Sequence, residues 1–292
     1  MGAISNLFGY LLNWLYNIFN NYGIAIIIFS IILRIILMPI TIKQQKTMKK
    51  SAEMQKKMKD IQRKYRNNPE KLNQETIDLY KREKMSPFSG CFSSILQIVI
   101  ILAVFYLVSK PLTYMKKVDT EVINNYVNEI REENGTVSAY SEIEVIQKKA
   151  DKETNPDIYI NMDFFGLDLS KVPNQNLKDY TVYIIPALYV ITSFISIKLS
   201  TKMQEKKKNE QKLISDGETP KTEEELKAEA EQEEILESMQ SVNKNMMYMT
   251  PIMSIFIAFI APLGLALYWL VSNILMIIER IIVDKFFRKE DA

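Results

Sequence analysis

The chain has 292 residues, of which 47% are hydrophobic and 25% are charged, and its 37 basic and 35 acidic residues leave a formal net charge of +2. Because it contains no histidine, it has neither a histidine-based catalytic dyad nor a histidine-ligated zinc site. Its single cysteine, Cys91, excludes an intrachain disulfide and a cysteine metal cluster. The composition therefore predicts no cofactor, and it favours a function based on shape, water and charge placement over covalent catalysis.

Five apolar segments have lengths typical of membrane-spanning helices. They predict an all-α integral membrane protein with transmembrane helices at residues 23–42, 89–110, 179–200, 245–262 and 263–284. Pro262 and Gly264 interrupt the last two segments within so short a distance that these must form a helical hairpin. A single segment of this kind could be the core helix of a soluble protein, but five in one chain indicate a multi-pass membrane protein.

Flanking charges predict the orientation of these helices. Residues 1–23 carry no charged side chain, whereas residues 43–86 carry 14 basic and 6 acidic side chains. Residues 110–179 carry 9 basic and 13 acidic side chains. Because basic segments remain in the cytoplasm, the N-terminus is predicted to lie outside and the C-terminus inside.

The segments between the helices are predicted to differ in order. Residues 1–22 place several asparagines along one helical face and predict an amphipathic helix on the outer leaflet, with an uncleaved extension of the first span as the alternative. Residues 111–178 predict a small extracytoplasmic pad with a poorly ordered acidic middle. Residues 201–244 predict a largely disordered cytoplasmic loop, and residues 285–292 a short cytoplasmic tail.

Residues 43–88 predict a cytoplasmic helical hairpin that turns at Asn67-Asn68-Pro69. Apolar side chains recur in its first half at coiled-coil spacing, and its second half offers a matching set. The first set is Met54, Met58, Ile61 and Tyr65, and the second is Leu72, Thr76, Leu79 and Tyr80. A loop that only sets topology has no need of such a seam, and methionine-lined surfaces suit contact with varied partners. The first set is therefore the candidate surface for recruiting substrates or ribosomes.

Arg34 lies near the centre of the first span, where an arginine costs about 2.5–3.5 kcal/mol on insertion scales. Apart from the terminal residues Asp179 and Asp284, the spans contain one acidic residue, Glu279, which lies close to the inner end of the fifth span. Its depth matches that of Arg34 poorly. We therefore expect a water-filled cavity around Arg34, with an ion pair between the two residues as the alternative.

Other polar and aromatic side chains of the spans are candidates to line the same cavity. They are Ser30, Gln97, Ser193, Ser196, Tyr268, Trp269, Ser272 and Asn273. Ser30 lies one helical turn from Arg34 on the same face. A serine or glutamine in a span can instead make a hydrogen bond between helices, and Tyr268 and Trp269 can instead anchor the helix at the membrane interface.

The order of these features resembles the YidC/Oxa/Alb family of membrane protein insertases in its five-span bacterial form. The matching stretches are ILRIILMPI at 32–40, the hairpin helix at 54–65, LYK at 79–81 leading to PFSGCF at 87–92, FGLDLS at 165–170 and PLGLALYWLVSN at 262–273. The last is the most specific. Together they cover roughly residues 24–110 and 160–284, in an order that agrees with the predicted membrane sides.

The resemblance implies an insertase of the bacterial plasma membrane that hydrolyses no nucleotide and has a hydrophilic groove, open to the cytoplasm and to lipid but closed on the outer side. It places Arg34, Ser30, Gln97, Tyr268 and Trp269 in this groove, and Ser272 joins them as a polar neighbour. The implied partners are nascent membrane proteins, lipid, a Sec-type translocon and the ribosome. DNA is not among them, and a monomer is compatible with this function.

As a hypothesis, the acidic tail of a nascent protein enters the groove from the cytoplasm and is attracted by Arg34. The alternative is a small-solute transporter or channel, which would also place an arginine at the membrane centre. Transporters typically show internal repeats and paired broken helices, and the sequence has neither.

Overall fold

The computed structural model describes residues 2–65, 68–83, 89–215 and 256–290. These residues belong to two compact units. The first unit comprises Met1–Ile35, Ile101–Glu218 and Ser241–Ala292, and the second comprises Ile36–Ile100 and Thr219–Gln240.

The described residues are mostly helical. The helices are α1 (Gly2–Phe19), α2 (Tyr22–Lys64), α3 (Pro69–Arg82), α4 (Ser89–Ser109), α5 (Thr120–Asn134), α6 (Ser141–Lys149), α7 (Ile184–Ser215) and α8 (Leu263–Glu290). A π-helical turn follows α4 at Leu112–Lys116, and two 3-10 turns precede α7 at Pro173–Gln175 and Tyr180–Tyr183. Strands β1 (Asp163–Phe164) and β2 (Leu167–Asp168) form a two-residue antiparallel ladder. Residues 256–260 are also helical.

Three of these segments are long and apolar enough to cross a membrane, namely Tyr22–Gln44, Tyr180–Lys202 and Leu263–Val283. They correspond to the spans expected at 23–42, 179–200 and 263–284. The span expected at 89–110 corresponds to α4, whose apolar part, Ile95–Ser109, is shorter. Residues 245–255 of the remaining expected span, residues 216–244 of the expected cytoplasmic loop and residues 291–292 lie outside the described residues.

Two segments differ from the sequence expectation. No helix end separates the first span, expected at 23–42, from the hairpin, expected at 43–88, because α2 continues through Pro39 as far as Lys64. The residues that follow Pro39 are rich in lysine, glutamine and methionine, which are strong helix formers. The acidic middle of residues 111–178, expected to be poorly ordered, instead forms α5 and α6. Ile123 and Ile130 of α5 are buried, as are Ile143 and Val145 of α6.

Residues 2–19 and 112–171 form a structure that we call the cap, which includes α1, the π-helical turn, α5, α6 and the β-ladder. Within it, α1 packs directly on the π-helical turn, since a Cβ atom added at Gly9 would lie 1.8 Å from the carbonyl oxygen of Tyr114. The hydroxyl of Ser5 donates a hydrogen bond to the carbonyl of Ala103 in α4 at 3.0 Å. Asn20, at φ 47°, lies between the end of α1 and the start of α2. Thus α1 is a separate helix, and its position at a membrane surface stays a prediction.

Glu142 fastens α6 to the π-helical turn. Its carboxylate accepts hydrogen bonds from the backbone N–H of Thr113 at 2.9 Å and from the hydroxyl of Thr113 at 2.6 Å. Burial raises the pKa of the Glu142 carboxyl, and the hydrogen bonds from Thr113 act in the opposite direction. The carboxylate of Glu142 thus provides an acceptor for the backbone N–H of Thr113, which lies in the first turn of the π-helical segment, where N–H groups lack a partner within the helix.

The cap also holds the starts of two spanning helices. The backbone N–H of Tyr22 donates to the carbonyl of Asn161 at 3.0 Å. At the start of α8, the N–H groups of Leu263 and Gly264 donate to the carbonyls of Lys171 and Leu169, each at 2.9 Å. The first N–H groups of a helix have no partner within the helix, so these contacts fix where α2 and α8 begin.

The second unit contains the helical hairpin formed by α2 and α3. The side chain of Asn68 accepts from the backbone N–H of Lys71 at 3.1 Å and caps α3, with Pro69 as the first helical residue. Across the hairpin, the hydroxyl of Thr76 donates to the sulfur of Met58 at 3.5 Å. Lys57 and Glu83 form an ion pair at 2.5 Å. Met54 and Leu79 are buried, and the contact between Met58 and Thr76 joins the two apolar sets predicted from the sequence.

Replacement of Gly9 by alanine should detach α1 from the π-helical turn, because the new methyl group would overlap the Tyr114 carbonyl. We expect a loss of about 1–3 kcal/mol in stability, typical of overpacking, measured as a lower midpoint of thermal unfolding in detergent. Gly2→Ala is the matched control, since nothing lies within 4 Å of a Cβ atom at Gly2. Equal unfolding midpoints for the two variants would contradict this packing.

The raised pKa of Glu142 predicts a pH dependence of stability. The folded protein binds a proton at this carboxyl more tightly than the unfolded chain does, so the corresponding stability is full below the ordinary glutamate pKa of about 4.3 and is lost as the pH rises through the folded pKa. Glu142→Gln cannot titrate. As the pH rises above about 4.3, the unfolding temperature of the native protein should therefore fall relative to that of the variant. Parallel curves would show that another group is responsible.

Candidate functional site

Arg34 of α2 forms an ion pair with Glu279 of α8. Nη1 of Arg34 lies 3.2 Å from Oε2 of Glu279, and the two side chains are 19% and 4% exposed. Nη2 of Arg34 donates a second hydrogen bond to the carbonyl of Ser272 at 3.1 Å. The guanidinium therefore contacts two points on α8 that are about two helical turns apart.

This pair corrects the expectation that Arg34 lies unpaired in a water-filled cavity. Arg34 is 12 residues from the start of α2 at Tyr22, and Glu279 is 16 residues from the start of α8 at Leu263. The difference of four residues amounts to about 6 Å along parallel helices. Side chains on both helices tilt toward their N-termini, so the tilt leaves this offset unchanged. The long arginine side chain spans the offset, because its Nη1 reaches Oε2 of Glu279 at 3.2 Å.

Two further candidate residues lie beside the pair. The side chain of Tyr268 is buried next to that of Ser272, within electrostatic reach of Arg34. Ser272 is partly exposed and provides its carbonyl to Arg34. The structure therefore brings Arg34, Tyr268 and Ser272 together and adds Glu279, which the sequence offered only as the less favoured partner.

The other candidates have different surroundings. Ser30 is buried, and its hydroxyl donates to the carbonyl of Ile26 in its own helix at 2.7 Å. Trp269 is half-buried. Gln97 is exposed on the part of α4 that belongs to the second unit. A helical position can be predicted for each of these residues from the sequence, whereas the direction that each side chain takes cannot.

Polar side chains that the sequence offered for the cavity join α7 to α8. Nδ2 of Asn273 donates to the hydroxyls of Thr192 at 3.1 Å and Ser193 at 3.2 Å. Arg280 donates to the carbonyl of Ser196 at 3.5 Å, and it also contacts the hydroxyl of Ser200. In this structure Ser193 and Asn273 make hydrogen bonds between helices, which was their alternative role.

The helices are packed most tightly between the cap and the ion pair. The largest fully buried side chains of α2 and α8 are Tyr22, Ile26, Phe29 and Leu263, and all of them precede Arg34 and Glu279 in their helices. Near and beyond the pair, Ile35, Ile278 and Ile282 are exposed. On α2 and α8, the largest fully buried side chains therefore lie on the cap side of the pair.

The hairpin candidates divide between its interior and its tip. Met54 is buried, Met58 contacts Thr76, and Ile61 is half-buried. Tyr65 lies at the tip, where the ammonium groups of Lys64 and Lys71 are 5.5 and 5.8 Å from the centre of its ring. Thus the methionines hold the hairpin together, and the tip presents an aromatic ring between two cations.

Comparison with known proteins identifies the family. The family model described as 60Kd inner membrane protein matches residues 14–290. A relative from Caldanaerobacter subterraneus subsp. tengcongensis is 39% identical over 105 residues, which are 36% of this chain and 51% of the relative. A relative from Treponema denticola is 24% identical over 289 residues, which are 99% of this chain and 38% of the relative. A third relative, from Fusobacterium nucleatum, is 26% identical over 282 residues, which are 97% of this chain and 95% of the relative.

All three relatives carry the name membrane protein insertase YidC. The match spans about half the length of the Caldanaerobacter relative, a smaller share of the Treponema relative and nearly all of the Fusobacterium relative. Because the family model covers almost the whole sequence, the chain belongs to the 60Kd inner membrane protein family.

Proposed function

We propose that this chain is a membrane protein insertase of the bacterial plasma membrane. It moves short hydrophilic tails of nascent membrane proteins part of the way into the bilayer and releases their apolar segments to lipid, without nucleotide hydrolysis and without enzymatic chemistry. The observation that carries the proposal is the ion pair of Arg34 and Glu279 between apolar helices, with fully buried side chains of both helices on its cap side. The relatives named as insertases support it.

The proposal includes five spanning helices with the N-terminus outside and the C-terminus inside. In this arrangement the cap lies outside, where its excess of acidic residues fits, and the strongly basic hairpin lies in the cytoplasm. Exposed apolar side chains on α1 recur at helical spacing, at Leu7, Tyr10, Trp14 and Ile18. This stripe supports a position of α1 on the outer leaflet, with the stripe in contact with lipid.

The mechanism follows from the surroundings of Arg34. Its partly exposed guanidinium lowers the cost of moving a polar tail from the cytoplasm toward the membrane centre, because a carboxylate of the tail gains a positive partner there. The closed cap side stops the tail from passing through an open channel. In this mechanism the groove also contains Tyr268, Ser272, Ser30 and Trp269, which provide polar and aromatic contacts along the path.

Transfer of the apolar segment to lipid supplies the driving force. A segment of about 20 apolar residues is long enough to span the hydrocarbon core once it leaves the groove. Exposed isoleucines on the same two helices, Ile31 and Ile35 on α2 and Ile274 and Ile278 on α8, offer a surface along which it can slide. The membrane potential adds about 2.3 kcal/mol per negative charge moved outward per 100 mV.

The hairpin recruits the substrate in this proposal. Its lysines suit the phosphates of ribosomal RNA, and the ring of Tyr65 adds a flat apolar contact at the tip. A Sec-type translocon is proposed as a further partner for substrates with long hydrophilic domains. The other candidate function, a small-solute transporter or channel, would require an open path through the tightly packed cap side.

Replacement of Arg34 by alanine should abolish insertion of a single-span test protein with an acidic tail, and Arg34→Lys should retain much of it, because lysine keeps the charge. The measurement is protease protection of the tail in vesicles that contain the purified protein. Normal insertion by the alanine variant would contradict the attraction step. Uptake of a small solute without insertion of the test protein would favour the transporter.

The double variant Arg34→Ala with Glu279→Gln is the necessary companion. Loss of Arg34 alone leaves a carboxylate buried without its partner, which costs about 3–5 kcal/mol in comparable ion pairs and can disturb the fold. The double variant removes both charges. If it unfolds at the native temperature and still fails to insert acidic tails, the loss reflects the missing positive charge rather than instability.

Charge reversal at the hairpin tip should weaken substrate capture. We expect Lys64→Glu combined with Lys71→Glu to reduce co-sedimentation of the reconstituted protein with ribosomes that carry a stalled membrane protein, and the native interaction to weaken with added salt. Lys152→Glu combined with Lys178→Glu makes the same charge change in two exposed lysines that lie in the segment predicted to be outside. An equal loss in both pairs would indicate general electrostatics rather than a role of the tip.

A further inference from the structure

The ion pair of Arg34 and Glu279 is asymmetric in its exposure. The side chain of Arg34 is 19% exposed, whereas that of Glu279 is 4% exposed. A charged group that approaches from outside the pair therefore reaches the guanidinium more readily than the carboxylate. Arg34 is the accessible member, and Glu279 is a counter-ion that lies deeper.

The contact between the two groups uses little of their hydrogen-bonding capacity. Only Oε2 of Glu279 faces Nη1 of Arg34, and Oε1 is buried without a hydrogen-bond partner among the described residues. Arginine has five N–H donors, and its strongest contacts with carboxylates use two parallel hydrogen bonds. Arg34 therefore retains donors that a second carboxylate can use, and Glu279 holds it by a single point.

We propose that Glu279 sets the charge selectivity of the site by competing with carboxylates of the substrate for Arg34. The ligand is an aspartate or glutamate side chain in the tail of a nascent membrane protein, so this inference rests on the proposed insertase function. Two carboxylates at one guanidinium repel each other, and the repulsion is stronger away from bulk water. A substrate carboxylate therefore binds at the expense of the contact between Arg34 and Glu279.

This competition has opposite effects on acidic and basic tails. Together the two residues carry no net charge, so an acidic tail gains less from the site than it would from an isolated arginine. A basic tail is repelled less for the same reason. Glu279 thus widens the range of tails that the site accepts and reduces its preference for acidic ones.

The test compares the native protein with Glu279→Gln, which keeps the size of the side chain and an acceptor oxygen for Arg34 but removes the charge. Three test proteins that differ only in an acidic, neutral or basic tail are inserted into vesicles without a membrane potential. We expect the ratio of acidic to neutral insertion to rise about three-fold or more, and the ratio of basic to neutral insertion to fall by a similar factor. Asp284→Asn removes one carboxylate from the same helix and should leave both ratios unchanged.

Binding of an acidic tail peptide to the purified protein in detergent provides a second measurement that does not depend on insertion. Glu279→Gln should tighten binding of this peptide about three-fold or more, and the double variant Arg34→Ala with Glu279→Gln should lose that gain. Unchanged ratios with unchanged peptide affinity would overturn the competition. A uniform fall for all three tails with a lower unfolding temperature would also overturn it, because Glu279 would then have only a structural role. Tighter binding of the peptide by a protein that inserts nothing would support the competition and refute the insertase function.

Discussion

A guanidinium group among apolar helices requires a counter-charge or water within reach, and this requirement determines how the spans around Arg34 are arranged. Arg34 meets it through Glu279 and the carbonyl of Ser272, both on α8. Contacts from Asn273 to Thr192 and Ser193 then join α8 to α7. One charge on α2 thus fixes the rotation of α8, and α8 fixes its neighbour. With apolar packing alone, several rotations of each helix about its axis would have nearly equal free energy, because lipid is as apolar as the side chains of the helices.

The cap supplies the second constraint, because it sets the depth at which the charges meet. Backbone hydrogen bonds from Tyr22, Leu263 and Gly264 fix the starts of α2 and α8. With both starts fixed, the positions of Arg34 and Glu279 along their helices follow from residue number alone. In the proposed function, the bundle is closed on the cap side. A charged site that is closed on one side suits a polypeptide that enters part of the way and leaves sideways into lipid, and it does not suit a solute that crosses.

The sequence predicted the helical class, the approximate limits of three apolar spans and the seam of the hairpin, because each depends on local periodicity. It also identified Arg34, because a charged residue within an apolar segment is evident from the sequence alone. It was wrong about the surroundings of Arg34, because depth was judged from the ends of apolar runs without the reach of the arginine side chain. It missed α5 and α6 because acidic residues dominate the composition of this segment. The few isoleucines that the two helices bury contribute little to that composition. For Ser30 and Gln97 the helix was predictable, but the direction of the side chain depends on neighbours that are distant in sequence.

Stability alone is a weak explanation for a buried ion pair in this position. Desolvation of two charges commonly offsets their attraction, and well-packed apolar residues are often as stable or more so. The pair of Arg34 and Glu279 has a single contact and one carboxylate oxygen without a partner among the described residues, so it is far from an optimised structural bridge. The more exposed position of Arg34 keeps its charge available to a group that arrives from outside. A pair that is imperfect and accessible on its cationic side can orient the helices and still exchange partners, and exchange is what the proposed site for polar tails in transit requires.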